Sequence, residues 1–198
     1  MSDLECMSKL RKDAEENRSA ILMAADRVFA SHGITVPLDL VCQEAGVGRA
    51  TLYRHFPDRH HLIVALLEQG IEETAAKAVE LGDREDAFFV LLRFHAERIH
   101  ARSSLIDYWR VLDRNAPEVR RVRERFHQIF SPLIFRAVEA GTCRPDMQVE
   151  DVTLLVSMLG SALRGRSADE QGRLGLRAFE LLVEGLRPRV AMPSEATS

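Results

Sequence analysis

Apolar residues recur at intervals of three and four along almost the whole chain of 198 residues, which is the spacing of one face of an α-helix. The segment 15–31, for example, places Ile21, Ala25 and Val28 on one such face. No segment shows the strict alternation of apolar and polar residues that a half-buried strand requires. The sequence therefore predicts an all-α protein of about nine helices.

Glycine and proline residues divide the first part of this pattern into short helices. Gly33 is expected to end the first helix, because glycine readily adopts the left-handed conformation that follows many helix C-termini. Pro37 can open a second helix of about two turns, since its missing N–H would be unpaired there in any case. Gly46 closes that helix, and a third short helix is predicted over 49–55, before Pro57.

A longer helix is predicted over 59–81, and five further amphipathic helices follow it. They are expected at 88–102, 105–112, 119–137, 151–163 and 174–186. Pro132 lies inside the third of these five and is expected to kink it. This is more helix than one small binding module needs, so the sequence predicts a second functional unit.

Composition excludes several classes of protein. The chain is 46% hydrophobic, which is enough for a core, and its formal net charge is −3, so a polyanionic partner would have to meet a local basic patch. Cys6, Cys42 and Cys143 are odd in number and lack metal-ligand spacing, which favours reduced thiols over a disulfide framework. No apolar run approaches ~18 residues and the start lacks a signal sequence, so we expect a cytoplasmic protein with no membrane partner.

The segment "AGVGRATLYRHFPDRHHL", residues 45–62, combines a short apolar seam with many polar side chains. Two helices of about two turns joined at a glycine have the sequence form of a helix-turn-helix. Ala45 is small where the helices would cross, Gly46 permits the tight turn, and Val47 and Leu52 would fill the angle between the helices.

The second helix of this segment would expose residue types that suit the major groove of double-stranded DNA. These are Arg49, Ala50, Thr51, Tyr53, Arg54 and His55. Arginine can read guanine edges, and Thr, Tyr and His suit phosphate oxygens. Arg59, at the start of the next helix, could also meet a phosphate. Spacing alone leaves the alternative that this helix pair is ordinary scaffold.

The neighbouring histidines His60 and His61 raise the possibility of a metal site. Adjacent residues on a helix point to different faces, and no cysteine or carboxylate completes a ligand set. We therefore predict no metal and no cofactor, and these two histidines receive no function from the sequence.

The segments "RSAILMAADRVFASHGI" and "LDLVCQEAGVGRATLYRHFPDRHHLIVALLE" resemble the N-terminal domain of TetR-family bacterial transcriptional regulators over residues 18–67. In that family the Thr-Leu-Tyr-x-His-Phe helix enters the major groove. The resemblance implies phosphate contacts by Thr51, Tyr53, His55 and Arg59, and base reading by Arg49, Ala50 and Arg54. Two positions depart from the family pattern: Val36-Pro37 replaces a Thr or Ser cap, and Gly48, also at the DNA face, replaces a serine.

The resemblance also implies a plan for the whole chain. It places a DNA-binding domain at 13–60 and an effector-binding and dimerisation domain at 61–188, and we expect a disordered tail at 189–198. A homodimer of this kind would bind an inverted-repeat, palindromic operator in double-stranded DNA and act as a repressor that a small-molecule effector releases.

Dimerisation is expected through the last two helices, which are apolar over much of their circumference. The predicted interface residues are Leu155, Leu159, Ala162, Phe179, Leu182, Val183 and Leu186. The alternative is that these side chains fill the core of the single chain.

A ligand pocket is expected where polar and aromatic residues interrupt apolar stripes. The predicted lining is His95, Arg102, Tyr108, Trp109, Phe126, Phe130 and Met158. A mostly apolar wall with few polar groups favours an apolar or aromatic effector. The alternative is that these residues serve as ordinary packing.

Two other functions compete with the ligand-responsive repressor. One is a DNA-binding protein of the same fold that has no small ligand. The other is an all-α enzyme, but no nucleophile, base and orienting residue occur together and no glycine-rich phosphate loop is present, so we predict that the chain is not an enzyme.

Overall fold

The computed structural model describes residues 3–113, 115–161 and 168–188, and all the regular structure in these ranges is helical. The eight helices are α1 (Asp3–His32), α2 (Leu38–Ala45), α3 (Arg49–His55), α4 (Arg59–Leu81), α5 (Ala87–Val111), α6 (Pro117–Glu139), α7 (Val149–Ser161) and α8 (Ala168–Leu186). The predicted all-α class is confirmed. The tail expected to be disordered, 189–198, lies outside the described residues.

Helix ends set by glycine and proline agree with the sequence prediction. Gly33 and Gly46 adopt φ values of +80° and +66°, and Pro37 occupies the N-cap position of α2. Pro132 lies inside α6, which continues through it to Glu139.

The helices differ from the prediction by more than two residues in three places. The predicted helices at 88–102 and 105–112 form one continuous α5, because no glycine or proline interrupts 87–111. α1 starts at Asp3 rather than near Glu15, and α8 starts at Ala168 rather than Leu174. The first turns of both helices are rich in charged residues, so the spacing of apolar residues does not reveal where these helices begin.

The N-terminal core joins α1, α2, α3 and the first turns of α4. Phe29, Leu52 and Leu62 are among its fully buried side chains. Leu105 and Tyr108, from the distal half of α5, pack against the same cluster. The N-terminal helices are therefore attached directly to the second unit.

The second core lies between α5, α6, α7 and α8, where Phe88, Leu91 and Phe130 are fully buried. α5 packs against α7 and α8, and α4 packs against α6. Cys42 and Cys143 are buried free thiols. None of the described helices is both long enough and apolar enough to cross a membrane.

Candidate nucleic-acid interface and internal cavity

The turn between α2 and α3 is built around Gly46, as the sequence predicts. Its left-handed conformation lets its N–H donate to the Gln43 carbonyl at 3.2 Å, and the Val47 N–H donates to the Cys42 carbonyl at 3.0 Å. Leu52 is completely buried and anchors α3 to the core. This packing fixes which side of α3 faces outward.

The outward side of α3 carries most of the residues predicted to contact DNA. Gly48, Arg49, Ala50, Tyr53 and Arg54 are exposed, and Thr51 and His55 are partly buried. Gly48 is the N-cap, with extended backbone and no side chain to bond the helix. One short helix thus presents two guanidinium groups, a phenol and a small, accessible N-terminus.

Arg49 is ion-paired with Asp39, which lies in the first turn of α2. The hydrogen bond and the charge of Asp39 raise the pKa of the Arg49 guanidinium above its usual value. Sequence analysis missed Asp39, although an acid near the start of the first helix of a helix-turn-helix could have drawn attention to it. The pair places a carboxylate beside a predicted base-reading side chain.

Arg59 does not extend from the surface as the predicted phosphate contact would. Its guanidinium donates to the backbone carbonyls of Ile34 and Val36 and lies 5.9 Å from the ring centroid of Phe29. It therefore ties the start of α4 to the loop between α1 and α2.

His55 points partly into the protein. Its Nε2 is buried and has no hydrogen-bond partner within the described part of the chain. Burial, followed by the nearby charges of Arg54 and Arg18, lowers the pKa of His55 below its usual value. The ring is therefore neutral near pH 7.

The two histidines without a predicted function have separate partners. Asp58 caps α4, accepting from the His61 backbone N–H at 2.9 Å and from the His61 Nδ1 at 2.8 Å. These two bonds lower the pKa of Asp58. His60 Nε2 donates to Glu118 Oε1 at 3.0 Å, which links the start of α4 to the first turn of α6.

A cavity of about 140 Å³ lies among α4, α5, α6 and α7. Its wall consists of Leu66, Leu67, Gly70, Ile71, Thr74, Phe94, His95, Arg98, Leu105, Trp109, Val122, Arg123, Phe126, Thr153, Val156 and Ser157. Three of the residues predicted to bind a ligand, His95, Trp109 and Phe126, belong to it.

Three other predicted ligand residues lie away from this wall. Phe130 is fully buried behind Phe126, with their ring centroids 4.8 Å apart, and Tyr108 packs against the N-terminal core. Met158 is 47% exposed on α7. Successive helical residues point about 100° apart, so Trp109 can face the cavity while Tyr108 does not. The side chain of the seventh, Arg102, lies outside the described residues.

Two polar groups of the wall on α4 and α5 are already paired within the protein. Thr74 Oγ1 donates to the Gly70 carbonyl at 2.6 Å and accepts from His95 Nε2 at 3.3 Å. Arg98 donates to Glu73 at 2.7 Å. Sequence analysis missed Thr74 and Arg98, whose placement depends on contact between two helices.

Of the polar groups that α6 and α7 contribute to the wall, two are bonded within the described part of the protein and one is not. Thr153 Oγ1 lies 2.9 Å from His127 Nε2, and Ser157 Oγ donates to the Thr153 carbonyl at 2.7 Å. Arg123 of α6 is partly buried and makes no ion pair or hydrogen bond within the described residues. This guanidinium, which was not predicted from the sequence, is the unpaired charge among the described residues of the wall.

Three residues predicted at the dimer interface lie instead in the core of the single chain. Leu155, Leu159 and Leu186 are at most 7% exposed, because α7 and α8 pack on α5 through these faces. Phe179, Leu182 and Val183 are partly buried. The predicted residue Ala162 lies outside the described residues.

The exposed apolar side chains of these two helices are different ones. Leu154, Met158 and Leu181 are 58%, 47% and 60% exposed. Met158 was expected in the ligand pocket, and the sequence analysis named neither of the leucines. We call these three residues the exposed apolar face.

Comparison with sequence families gives one match in the N-terminal part of the chain and another in its C-terminal part. Residues 21–66 match the family "Bacterial regulatory proteins, tetR family". Residues 83–188 match "Transcriptional regulator SbtR-like, C-terminal domain".

Sequence comparison and structure comparison with known proteins both find transcriptional regulators. An HTH-type transcriptional regulator of Staphylococcus aureus is 34% identical over 64 residues, which are 32% of this chain and 35% of the relative, so the match spans about a third of that protein. The TetR transcription regulatory protein from Mycobacterium vanbaalenii is 30% identical, with a TM-score of 0.63 over 90% of this chain and 99% of the other. A TetR transcriptional regulator from Streptomyces coelicolor is 27% identical, with a TM-score of 0.63 over 87% and 99% of the two chains.

Proposed function

Because the chain belongs to the TetR family of bacterial transcriptional regulators, we propose that it is a dimeric repressor whose operator is released when a small molecule occupies the internal cavity. DNA-binding regulation follows from the family. The proposal adds the operator form, the dimer and the response to a ligand. A repressor of chromosomal genes would act in the bacterial cytoplasm.

The outward face of α3 is the observation that carries the DNA-binding part of this proposal. Arg49 and Arg54 are the proposed base-reading side chains, and Ala50 and Gly48 allow close approach to the groove. Thr51, Tyr53 and His55 are proposed to contact phosphates. The resemblance implies a phosphate contact for Arg59, but its two bonds to carbonyls favour a role in holding the loop before α2.

The exposed apolar face supports dimerisation through α7 and α8. Its three side chains stand in solvent on a single chain, and apolar groups of this size are stabilised when a partner covers them. A two-fold dimer would place two α3 helices about 34 Å apart, which matches an inverted repeat with half-sites one helical turn apart.

The cavity supports ligand response because its wall includes the helix that follows the DNA-binding unit. Leu66, Gly70 and Thr74 of α4 line the cavity, and α4 begins at Arg59, four residues after α3 ends. The His60–Glu118 bond joins the start of α4 to α6, another cavity helix. A ligand that changes the position of α4 would favour conformers in which the two α3 helices no longer match the operator.

Selection of DNA by the purified protein tests the proposal. We expect fragments of the source genome that bind at about 150 mM salt to share an inverted repeat, protected as two half-sites in footprinting. The double variant Tyr53→Ala/Arg54→Ala should bind none of them, while Arg93→Ala, which removes an exposed arginine from α5, should select the same set. Selection without any inverted repeat, or equal selection by the double variant, would show that the proposal is wrong.

A further inference from the structure

Arg123 is a cation on the wall of an apolar cavity, and it has no partner within the described residues. The described hydroxyl groups and the other cationic side chains of that wall bond to protein atoms: Thr74 and Ser157 to helix carbonyls, Arg98 to Glu73, Thr153 to His127, and His95 to Thr74. Arg123 as a residue is partly buried, so its side chain gives up part of its contact with water without gaining a bond in return. Arg123 is thus positioned to bind a group that comes from outside the chain.

The charge of the wall restricts what that group can be. Among the described residues, the wall contains Arg98, Arg123 and His95 but no aspartate or glutamate. The charge of Arg98 is balanced by Glu73 at 2.7 Å, whereas the charge of Arg123 has no such balance. A cationic ligand would be repelled here, and a neutral one would leave the guanidinium unpaired.

The size and lining of the cavity restrict the rest of the ligand. Its volume of about 140 Å³ is close to that of an engineered apolar cavity of about 150 Å³ that accepts benzene. Phe94, Trp109 and Phe126 supply aromatic walls, and Leu66, Ile71 and Val122 supply aliphatic ones. A ligand body of about one aromatic ring fits this space.

We propose that the ligand of this cavity is a small monocarboxylic acid whose apolar body, about one aromatic ring in size, lies among these walls while its carboxylate pairs with Arg123. A planar guanidinium can bond both oxygens of a carboxylate, which makes Arg123 the specificity-determining residue for the acid. The inference rests on the proposed function only for the role of the cavity as an effector site.

Tryptophan fluorescence offers a direct test, because Trp109 is the single tryptophan of the chain and lines the cavity. Benzoate serves as the probe, and benzamide is the matched neutral compound of the same shape. We expect a saturable change in Trp109 emission with benzoate, and at least about tenfold weaker binding of benzamide.

Two variants of α6 test whether benzoate binding depends on Arg123. Arg123→Gln keeps much of the side chain but removes its charge, and it should weaken benzoate binding at least about tenfold while leaving benzamide binding unchanged. Arg120→Gln removes an exposed arginine of the same helix that lies outside the wall, and it should bind benzoate as the unmodified protein does. Circular dichroism establishes that both variants are folded.

Three results would overturn the inference: no saturable change with benzoate up to about 10 mM, equal binding of benzoate and benzamide, or unchanged benzoate binding by folded Arg123→Gln. The readout contains no DNA. Preferential benzoate binding that leaves a DNA complex intact would therefore support the acid site and count against ligand-released repression. Failure of the fluorescence test would leave the DNA-selection result standing.

Discussion

At the scale of single residues, the positions of Arg49 and Arg59 show what a motif can and cannot predict. The motif in 45–56 identifies which residues of α3 face outward, because Leu52 must point into the core. It does not contain the partners of the arginines. Asp39 lies ten residues before Arg49, and Ile34 and Val36 lie more than twenty residues before Arg59, so only the folded chain shows these contacts.

The contacts of Arg59 predict that its replacement lowers the stability of the protein and leaves its phosphate contacts with DNA unchanged. Arg59→Ala would leave two carbonyls without their donor, so we expect the free energy of unfolding in urea to fall by about 1–3 kcal/mol. The salt dependence of DNA binding should keep its slope. Arg54→Ala, which removes an exposed base-reading side chain, should instead lower the discrimination between operator and unrelated DNA without lowering stability. If Arg59→Ala reduced the salt-dependence slope and left stability unchanged, Arg59 would contact a phosphate after all.

The Asp39–Arg49 pair predicts a loss of discrimination between DNA sequences. The carboxylate holds the guanidinium in one orientation and also repels phosphates, so Asp39→Asn should strengthen binding to unrelated DNA and lower the ratio of operator to unrelated binding by about tenfold. Fluorescence anisotropy with operator and scrambled duplexes measures this ratio. Glu44→Gln is the matched control, since Glu44 is an exposed acid of the same helix that pairs with Arg27 of α1. An unchanged ratio for Asp39→Asn would contradict the orienting role.

At the scale of helices, the sequence predicted those whose ends are marked by glycine or proline. α2, α3 and α4 lie where Pro37, Gly46 and Pro57 place them. The long α5 was divided into two because its apolar face changes direction: Leu105 and Tyr108 contact the N-terminal core, whereas Phe88 and Leu91 contact the second core. Periodicity detects one apolar face at a time, and a helix that serves two cores has two.

The turn between α2 and α3 predicts opposite effects for the same substitution at two glycines. A Cβ at Gly46 or Gly172 meets no atom within 4 Å, so the backbone conformation alone determines how an alanine there changes stability. Gly46→Ala forces a side chain into φ +66° and should lower the free energy of unfolding by about 1–2 kcal/mol. Gly172→Ala, inside α8, should raise it by about 0.5–1 kcal/mol. Urea titrations followed by circular dichroism measure both, and equal effects would rule out the proposed role of the turn.

At the scale of the whole molecule, α4 and α5 connect the proposed DNA interface to the cavity. Leu105 belongs both to the N-terminal core and to the cavity wall, and the adjacent residues Tyr108 and Trp109 contact one each. The sequence predicted a pocket and some of its aromatic residues. It could not predict the full wall, because Thr74, Arg98 and Arg123 come from three helices whose relative rotation is set by packing.

The exposed apolar face of α7 and α8 predicts the oligomeric state of the molecule. An interface of standard size buries about 800 Å² on each partner, and in a two-fold dimer every side chain contributes twice. Leu181→Asp places a charge on each copy of this face. If each substitution costs about 2 kcal/mol, the dimer dissociation constant rises roughly a thousandfold.

Light scattering after size exclusion measures this change. The unmodified protein should have twice the chain mass of 22.3 kDa at micromolar concentration, and Leu181→Asp should have the mass of one chain. Val79→Asp is the control, because Val79 is 82% exposed on α4, outside the proposed interface, and this variant should remain dimeric. Leu181→Asp should also lose operator affinity while keeping the helical content of the unmodified protein, since a single α3 helix can grip only one half-site. A dimeric, operator-binding Leu181→Asp would mean that the two chains meet through another surface.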